Sequence, residues 1–464
     1  MNDKNRHLQP FIMVLVATVG LLVASQFNTS IKLWGYQAKK IAPFSDIILK
    51  EKAKTVPLPL RILADSIIAK DDPEPVLAET DITNIYDYNP DRISSLAPFF
   101  ESLNKIKKQK HKVRIAYFGD SMIEGDLITQ DLRDCMQNTF GGYGVGFVPV
   151  TSIVAGFRTS IIHSFEGWKT YNLLEKMPAN HLLGISGYTF VPELTDAFDS
   201  AANINNCWVK YVAVKKRHLN KFPQTKLLYG KSTGENYVVI NSKRYKLSGT
   251  KTVNELMIDN ENNCQCVNAK FQCRTSIDVF GFSTESDSGV FVDNFSFRGN
   301  SGMPITKVSK SVYSGTNECL NYDLVILEYG LNVVSERVTD YSWYEKGMNN
   351  VIKHIQESFP GTSILLISVG DKGYKDDVYK TNPGIPFLVE VQKRLAANNK
   401  IAFWSLYDAM GGNGSMIKWV EGDTTFANKD YAHFNFKGAH KVGRLLFNKL
   451  MVEYSDYNKK KLQP

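Results

Sequence analysis

The sequence predicts an α/β fold, a parallel sheet with helices on both faces, interrupted by an inserted β-sandwich. Three observations carry this. Apolar strand runs alternate with helix-spaced apolar residues in two separate stretches, one before about residue 154 and one after about residue 300. Between them lie short β-rich runs separated by turn residues, with no long helical pattern. The chain has 464 residues, 43% hydrophobic and 22% charged. That is enough for a large core in two folded units, and it excludes wholesale disorder and a polytopic membrane protein.

Taken in order, residues 1–28 hold an uncharged apolar run, "FIMVLVATVGLLVAS" (11–25), preceded by Lys4 and Arg6. This is the pattern of an export signal. Val23 and Ser25 would suit a cleavage site. The expectation is instead an anchor over residues 11–27, with the body of the protein outside the cytoplasm, on the periplasmic or cell-surface side. No cysteine follows the run, which argues against a lipid-anchored protein. Residues 29–90 contain "TVPLPL", "DDPEPVL" and "DYNPDR", where prolines and charges break any period. They read as a stalk.

The α/β domain is expected at 91–154 and 291–464. Leu96, Phe99, Phe100, Leu103 and Ile106 carry helical spacing, "VRIAYF" (113–118) is a strand, and Ile128, Leu132 and Met136 mark the next helix. Later, "DLVILEYG" (323–330), "SILLISVG" (363–370) and "KIAFWSLYD" (400–408) are buried strands. The helices between and after them are marked by Met348, Val351, Ile352 and Ile355, by Leu388, Val391 and Leu395, and by Ala439, Val442, Leu446 and Leu450. Such near-continuous apolar strands belong to a parallel sheet covered on both faces. The insertion, 155–290, holds "CWVKYVAV", "YVVINSKRYKL", "KTVNELMID", "TSIDVFGFST" and "GVFVDNFSF". Turns such as "GKSTGEN" and "DNENNCQ" separate these runs, as in a β-sandwich.

A net charge of +8 and short basic clusters at 107–112 and 215–221 read as solvated faces, and no nucleic-acid partner is expected. The six cysteines allow at most one or two structural bridges, centred on 207–273. No His/carboxylate cluster has metal-ligand spacing, so neither metal nor cofactor is expected.

Ligand sites of an open α/β sheet form at the carboxyl ends of its strands. Four pieces fall at such junctions. Ser121 follows the first strand, in "RIAYFGDSMIEGD". Gly302 lies in "FRGNSGMP", Asn332 in "LEYGLNVV", and Asp430 and His433 in "NKDYAHFN". A serine hydroxyl becomes a nucleophile when an imidazole takes its proton, and the imidazole needs a carboxylate to fix its tautomer. Asp430 and His433, three residues apart, can touch while the far ring nitrogen faces Ser121. The resulting oxyanion needs donors, which the N–H groups of Ser121 and Gly302 and the Asn332 amide would supply. One such donor is worth about 3 kcal/mol. Asp371 and Lys372, in "SVGDKG", follow another strand and are weaker candidates for substrate contact, a surface turn being the plainer reading.

"FGDSM", "GNSG", "GLN" and "DYAH" resemble blocks I, II, III and V of the SGNH (GDSL-like) hydrolases, over residues 114–440. The resemblance implies a flavodoxin-like sheet, a triad of Ser121, His433 and Asp430, and an oxyanion hole of Ser121, Gly302 and Asn332. Val333 stands where block III usually has Asp, and Met122 where block I usually has Leu. The long insertion between blocks I and II, with "YDAMGGNGSMIKW" (407–419), is similar to the peptidoglycan O-acetylesterases, in which a carbohydrate-binding-like sandwich interrupts the hydrolase domain. The expected substrate is an acetylated envelope glycan. Two alternatives stand beside this reading: a glycan O-acyltransferase using the same triad, and a non-catalytic, membrane-tethered glycan-binding protein. A lipase or thioesterase is a further one, and no long apolar lid supports it. Trp168, Tyr171, Trp404 and Trp419 would suit stacking on sugars, although core or rim packing is the commoner use of each.

Overall fold

The run Lys112–Gly119 is buried along nearly its whole length, because it lies inside a sheet covered on both faces. In the computed structural model the described residues are 32–33, 36–37, 84–89, 94–193, 207–261 and 263–462. They fall into two units, Met1–Val76 and Leu77–Pro464. In the first, Lys32–Leu33 pairs with Tyr36–Gln37 in an antiparallel ladder. The expected anchor at 11–27 lies outside the described residues, as does most of the stalk. Among the described residues, no helix is long and apolar enough to cross a membrane.

In the second unit the central sheet runs Gly289–Ser296, Lys112–Gly119, Leu324–Glu328, Ser363–Ile367, Ala402–Trp404 and Ile85–Asp87. The first five are parallel and the sixth is antiparallel. Helices Ala97–Ile106, Thr129–Phe140 and Phe436–Lys461 pack with one another, and Lys310–Leu320, Ser342–Ser358 and Gly384–Asn398 form a second group. The strand residues are nearly all sealed off, and each buried Val, Leu or Ile is worth about 1.5–3 kcal/mol.

Two assignments change. The run "GVFVDNFSF", grouped in sequence with the insertion, is the edge strand of the parallel sheet, pairing from Gly289↔Lys112 to Ser296↔Gly119. Residues 84–89 leave the stalk. Ile85–Asp87 pairs with the Ala402–Trp404 edge, and Lys449 holds Asn84 at 2.8 Å. This covers backbone groups that an open edge would expose.

The insertion is two antiparallel sheets. One runs Asn254–Asp259, Gln224–Tyr229, Val279–Glu285, Tyr188–Pro192 and Trp168–Asn172, with Gly146–Val148 also on Val279–Glu285. The other runs Lys243–Gly249, Ser232–Ile240, Cys266–Cys273, Trp208–Val212 and Ile162–Glu166. Their inner faces meet in a core of their own, where Phe271 and Tyr211 pack on Phe282. Among the described residues no disulfide joins the cysteines.

A buried ionic cluster ties the sandwich to the parallel sheet. Arg114 contacts Glu285 of the sandwich and Asp293 of the edge strand, the latter at 2.8 Å, while Lys112 reaches Glu285 at 2.6 Å. Asp293 also accepts Tyr322 O–H at 2.8 Å and Phe147 N–H at 2.8 Å.

Candidate active site

Asp120 ends the strand Lys112–Gly119, and its Oδ1 accepts the Met122 N–H at 3.0 Å. That bond caps the 3₁₀ turn Ser121–Asp126 and places Ser121 at its first position, at the carboxyl edge of the sheet. Ser121 Oγ lies 2.9 Å from His433 Nε2, and His433 Nδ1 lies 2.7 Å from Asp430 Oδ2. With Nδ1–H donated to Asp430, Nε2 is the acceptor for the serine hydroxyl, which is the tautomer a general base requires.

The Asp430–His433 turn closes over three residues because Tyr431 takes a φ of 55°. Asp430 Oδ1 accepts the N–H groups of Ala432 at 3.0 Å and His433 at 3.1 Å. Burial alone would raise this carboxyl. The His433 backbone and ring, with the Ala432 N–H, outweigh it and hold Asp430 below the ordinary carboxylate range. Two outer supports hold the turn. Asn428 N–H donates to His433 O at 2.8 Å, and Gly373 N–H donates to Tyr431 O at 2.7 Å. The Tyr379 ring stacks flat on Tyr431, with centroids 3.6 Å apart. Asn435 then caps the helix Phe436–Lys461.

Gly302 and Asn332 sit beside this line, with their donors engaged inside the protein. Gly302 N–H donates to Asn300 Oδ1 at 2.9 Å. Asn332 Nδ2 donates to Asp120 Oδ2 at 2.9 Å and to Asn300 O at 3.1 Å. Gly302 has φ 94°, and a Cβ there would stand 2.9 Å from Met348 Sδ and the Tyr329 ring, so only glycine fits.

Three residues not singled out from sequence shape the site. Asn300, fully buried, links Gly302 to Asn332. Asp120 is also buried, and burial lifts its carboxyl to about 6 against the Met122 N–H, His433 and Asn332. Glu328 accepts the Tyr117 O–H at 2.5 Å. Burial raises it to about 8, the Tyr117 bond opposing and Asp120 adding repulsion. Asp120 and Asn300 lie inside the quoted motifs. An acid closing the apolar run "LVILE" was a legible signal for Glu328.

The expectation for Asp371 is corrected. It is 1% exposed, and its Oδ2 accepts from Met416 N at 2.8 Å, Thr381 Oγ1 at 3.1 Å and Ser415 Oγ at 3.2 Å. It holds the start of the helix Ser415–Glu421 rather than facing a ligand. Lys372 Nζ stands 3.5 Å from Leu331 O, next to Asn332. Trp404 and Trp419 are core residues, and Trp168 packs edge-on against Phe271.

No protein-family model and no curated protein matches the sequence. Solved structures do. A peptidoglycan O-acetylesterase structure matches with TM-score 0.65 and 19% identity, over 80% of this chain and 99% of its own. A lipase/acylhydrolase from Enterococcus faecalis matches over 36% of this chain and 78% of its own, at 19% identity and TM-score 0.27. A family two carbohydrate esterase from Clostridium thermocellum matches over 54% and 93%, at 10% identity and TM-score 0.27. The first of these covers nearly all of its own length and most of this chain, and the two accordingly share a fold, a parallel α/β sheet with a β-sandwich set into it.

Proposed function

We propose that this protein is an exported serine esterase that removes O-acetyl groups from a cell-envelope glycan. The observation that carries the proposal is the hydrogen-bonded line from Ser121 through His433 to Asp430, at 2.9 and 2.7 Å. Ser121 Oγ attacks the acetyl carbonyl as His433 Nε2 takes its proton. The tetrahedral intermediate collapses, His433 returns the proton to the departing sugar hydroxyl, and an acetyl-serine remains. Water then attacks with the same base, and acetate leaves. Ser121 N–H, Gly302 N–H and the Asn332 amide are the proposed oxyanion donors. Gly302 and Asn332 would have to turn from, or share, their present acceptors on Asn300 and Asp120.

Hydrolysis is favoured over transfer because the His433 and Asp430 side chains are 40% and 49% exposed, which gives water access to the acyl-enzyme. The intact line argues against a purely binding role. Export and membrane tethering rest on the charged-then-apolar segment at 4–25. The likeness in fold to a peptidoglycan O-acetylesterase supports peptidoglycan as the first substrate to test. The test is acetate release from O-acetylated peptidoglycan by the parent protein, with Ser121→Ala and His433→Ala alongside. Release that falls about 10⁴-fold or more in both variants is the expected result. Equal release by Ser121→Ala would remove the serine mechanism.

A further inference from the structure

We propose that the cleft between the sandwich and the parallel-sheet layer binds a carboxylate-bearing sugar of the substrate, with Arg158 selecting the carboxylate. This rests on the glycan-esterase reading and narrows its substrate class.

The cleft has a volume of about 160 Å³. The sandwich side supplies Thr151, Ser152, Thr170, Ser186 and Tyr188, and the sheet side supplies Ser296 and the carboxylates of Glu124 and Asp126. A wall so rich in hydroxyl groups suits the alternating donors and acceptors of a sugar ring.

The charges around it do not balance. Three guanidinium groups, Arg133, Arg158 and Arg298, face two carboxylates, Asp126 and Glu124, which leaves one positive charge over. Glu124 is taken by Arg298, whose Nε donates to Oε2 at 2.9 Å. Asp126 is taken on both oxygens by Arg133, at 2.7 and 2.9 Å. Arg158 is left with the remainder. Its side chain is only 9% exposed, and its Nη2 stands 3.4 Å from Asp126 Oδ2 without making a hydrogen bond. Its Nε donates to Ser160 Oγ at 3.0 Å. Burial pushes the Arg158 guanidinium below its ordinary value. Asp126 opposes that shift and Arg133 adds to it. His163, nearby, is pushed down to about 4 by burial and brings no compensating or added charge at neutral pH. A buried cation in surplus is relieved by an anion, and a guanidinium prefers the two oxygens of a carboxylate.

The cleft is also within reach of the chemistry. Glu124 follows Ser121 by three residues, so their Cα atoms are at most about 11 Å apart. Phe157, beside Arg158, stacks on Phe436 at 5.0 Å, and Phe436 follows His433 by three residues. The Phe157 ring also covers Gly125, where a Cβ would meet it at 2.3 Å. The loop carrying Arg158 is therefore seated against segments on both sides of the triad. One sugar in the cleft leaves its neighbour able to present an ester to Ser121.

The test is calorimetric binding to the full-length Ser121→Ala protein, using trigalacturonate, its methyl ester and cellotriose at low ionic strength. Trigalacturonate is expected to bind about tenfold or more tightly than the other two. Arg158→Gln should reduce it to the affinity of the methyl ester. Equal binding of all three sugars, or of none, overturns the carboxylate assignment. Undiminished selectivity in a folded Arg158→Gln protein overturns the role of Arg158. If that variant does not fold, Ser152→Trp fills the cleft from its rim and should abolish trigalacturonate binding, and unchanged binding would overturn the location. The Ser121→Ala protein does not turn over, so a parent protein that releases no acetate counts against the esterase alone and leaves the binding result readable.

Discussion

In the proposed reaction Ser121 is as nucleophilic as the path for its proton allows, and that path runs through His433 to Asp430. With the carboxylate held low by two N–H donors, the ring keeps Nε2 as the base. Asp430→Asn keeps the shape of the turn but removes the charge that stabilises the imidazolium. Acetate release should slow by about 10²–10⁴-fold, measured as kcat, with smaller loss in KM. A rate within twofold of the parent would mean that Asp430 only shapes the turn. Glu328 makes a different prediction, about stability. Its carboxyl is near 4.5 in the unfolded chain and raised to about 8 when folded. Between those values the folded state binds one more proton than the unfolded state, so stability falls as pH rises, by up to about 1.4 kcal/mol per pH unit. Glu328→Gln removes this group, and its thermal midpoint should fall less than the parent's between pH 5 and 9. Parallel curves for the two proteins would show that Glu328 does not titrate there.

At the scale of elements, the strand Lys112–Gly119 carries two duties, the serine at its end and Arg114 within it. Arg114 is 1% exposed and sits between Glu285 and Asp293, which between them also hold Lys112 and Tyr322. Arg114→Ala strands two buried carboxylates and should cost about 3–5 kcal/mol in denaturant unfolding, far more than the loss of a surface pair. A cost below about 1 kcal/mol would mean that water enters the cluster freely. Much of this architecture was legible in the residues. Runs such as "SILLIS" read as strands buried on both faces, and the 3.6-residue spacing at Leu388, Val391 and Leu395 reads as a helix face, as the structure has them. Three features were not legible. "GVFVDNFSF" has the same local pattern whether its neighbours run parallel or antiparallel, and only pairing with Lys112–Gly119 decides. Ile85–Asp87 is too short to stand out from a stalk. The helix Lys310–Leu320 carries Gly315 and polar residues between Val312, Tyr313, Thr316 and Leu320, which blurs its period. The site divides the same way. Ser121, Asp430 and His433 lie in short motifs whose geometry is local. The fate of Asp371 depends on a helix start more than forty residues away, at Ser415 and Met416.

For the whole molecule, the question is whether the sandwich is a passenger or is coupled to the sheet. The sandwich and the sheet lie in one unit, Leu77–Pro464, although each has its own apolar core. The chain crosses between them twice, and the crossings are pinned. Gly146–Val148 leaves the α/β segment to pair with Val279–Glu285, and its Phe147 N–H donates to Asp293. Phe147 packs at a tilt against Phe295 with centroids 5.1 Å apart, and Tyr188 of the sandwich stacks on Phe297 at 4.7 Å, just past the edge strand. Unfolding the sandwich alone would bare these rings and leave Arg114 without Glu285. Unfolding the sheet alone would take Arg114 and Lys112 from Glu285 and leave it Lys226 of the sandwich, at 3.9 Å. Each half-unfolded state therefore carries a buried-charge penalty of several kcal/mol on top of exposed aromatic surface. Calorimetry of the folded unit should show one transition, with calorimetric and van't Hoff enthalpies in agreement. Arg114→Ala should weaken the coupling and broaden or split that transition. Two well-separated transitions in the parent protein would mean that the sandwich moves independently of the sheet. A cleft that draws one wall from each part would then not be a fixed feature of the molecule.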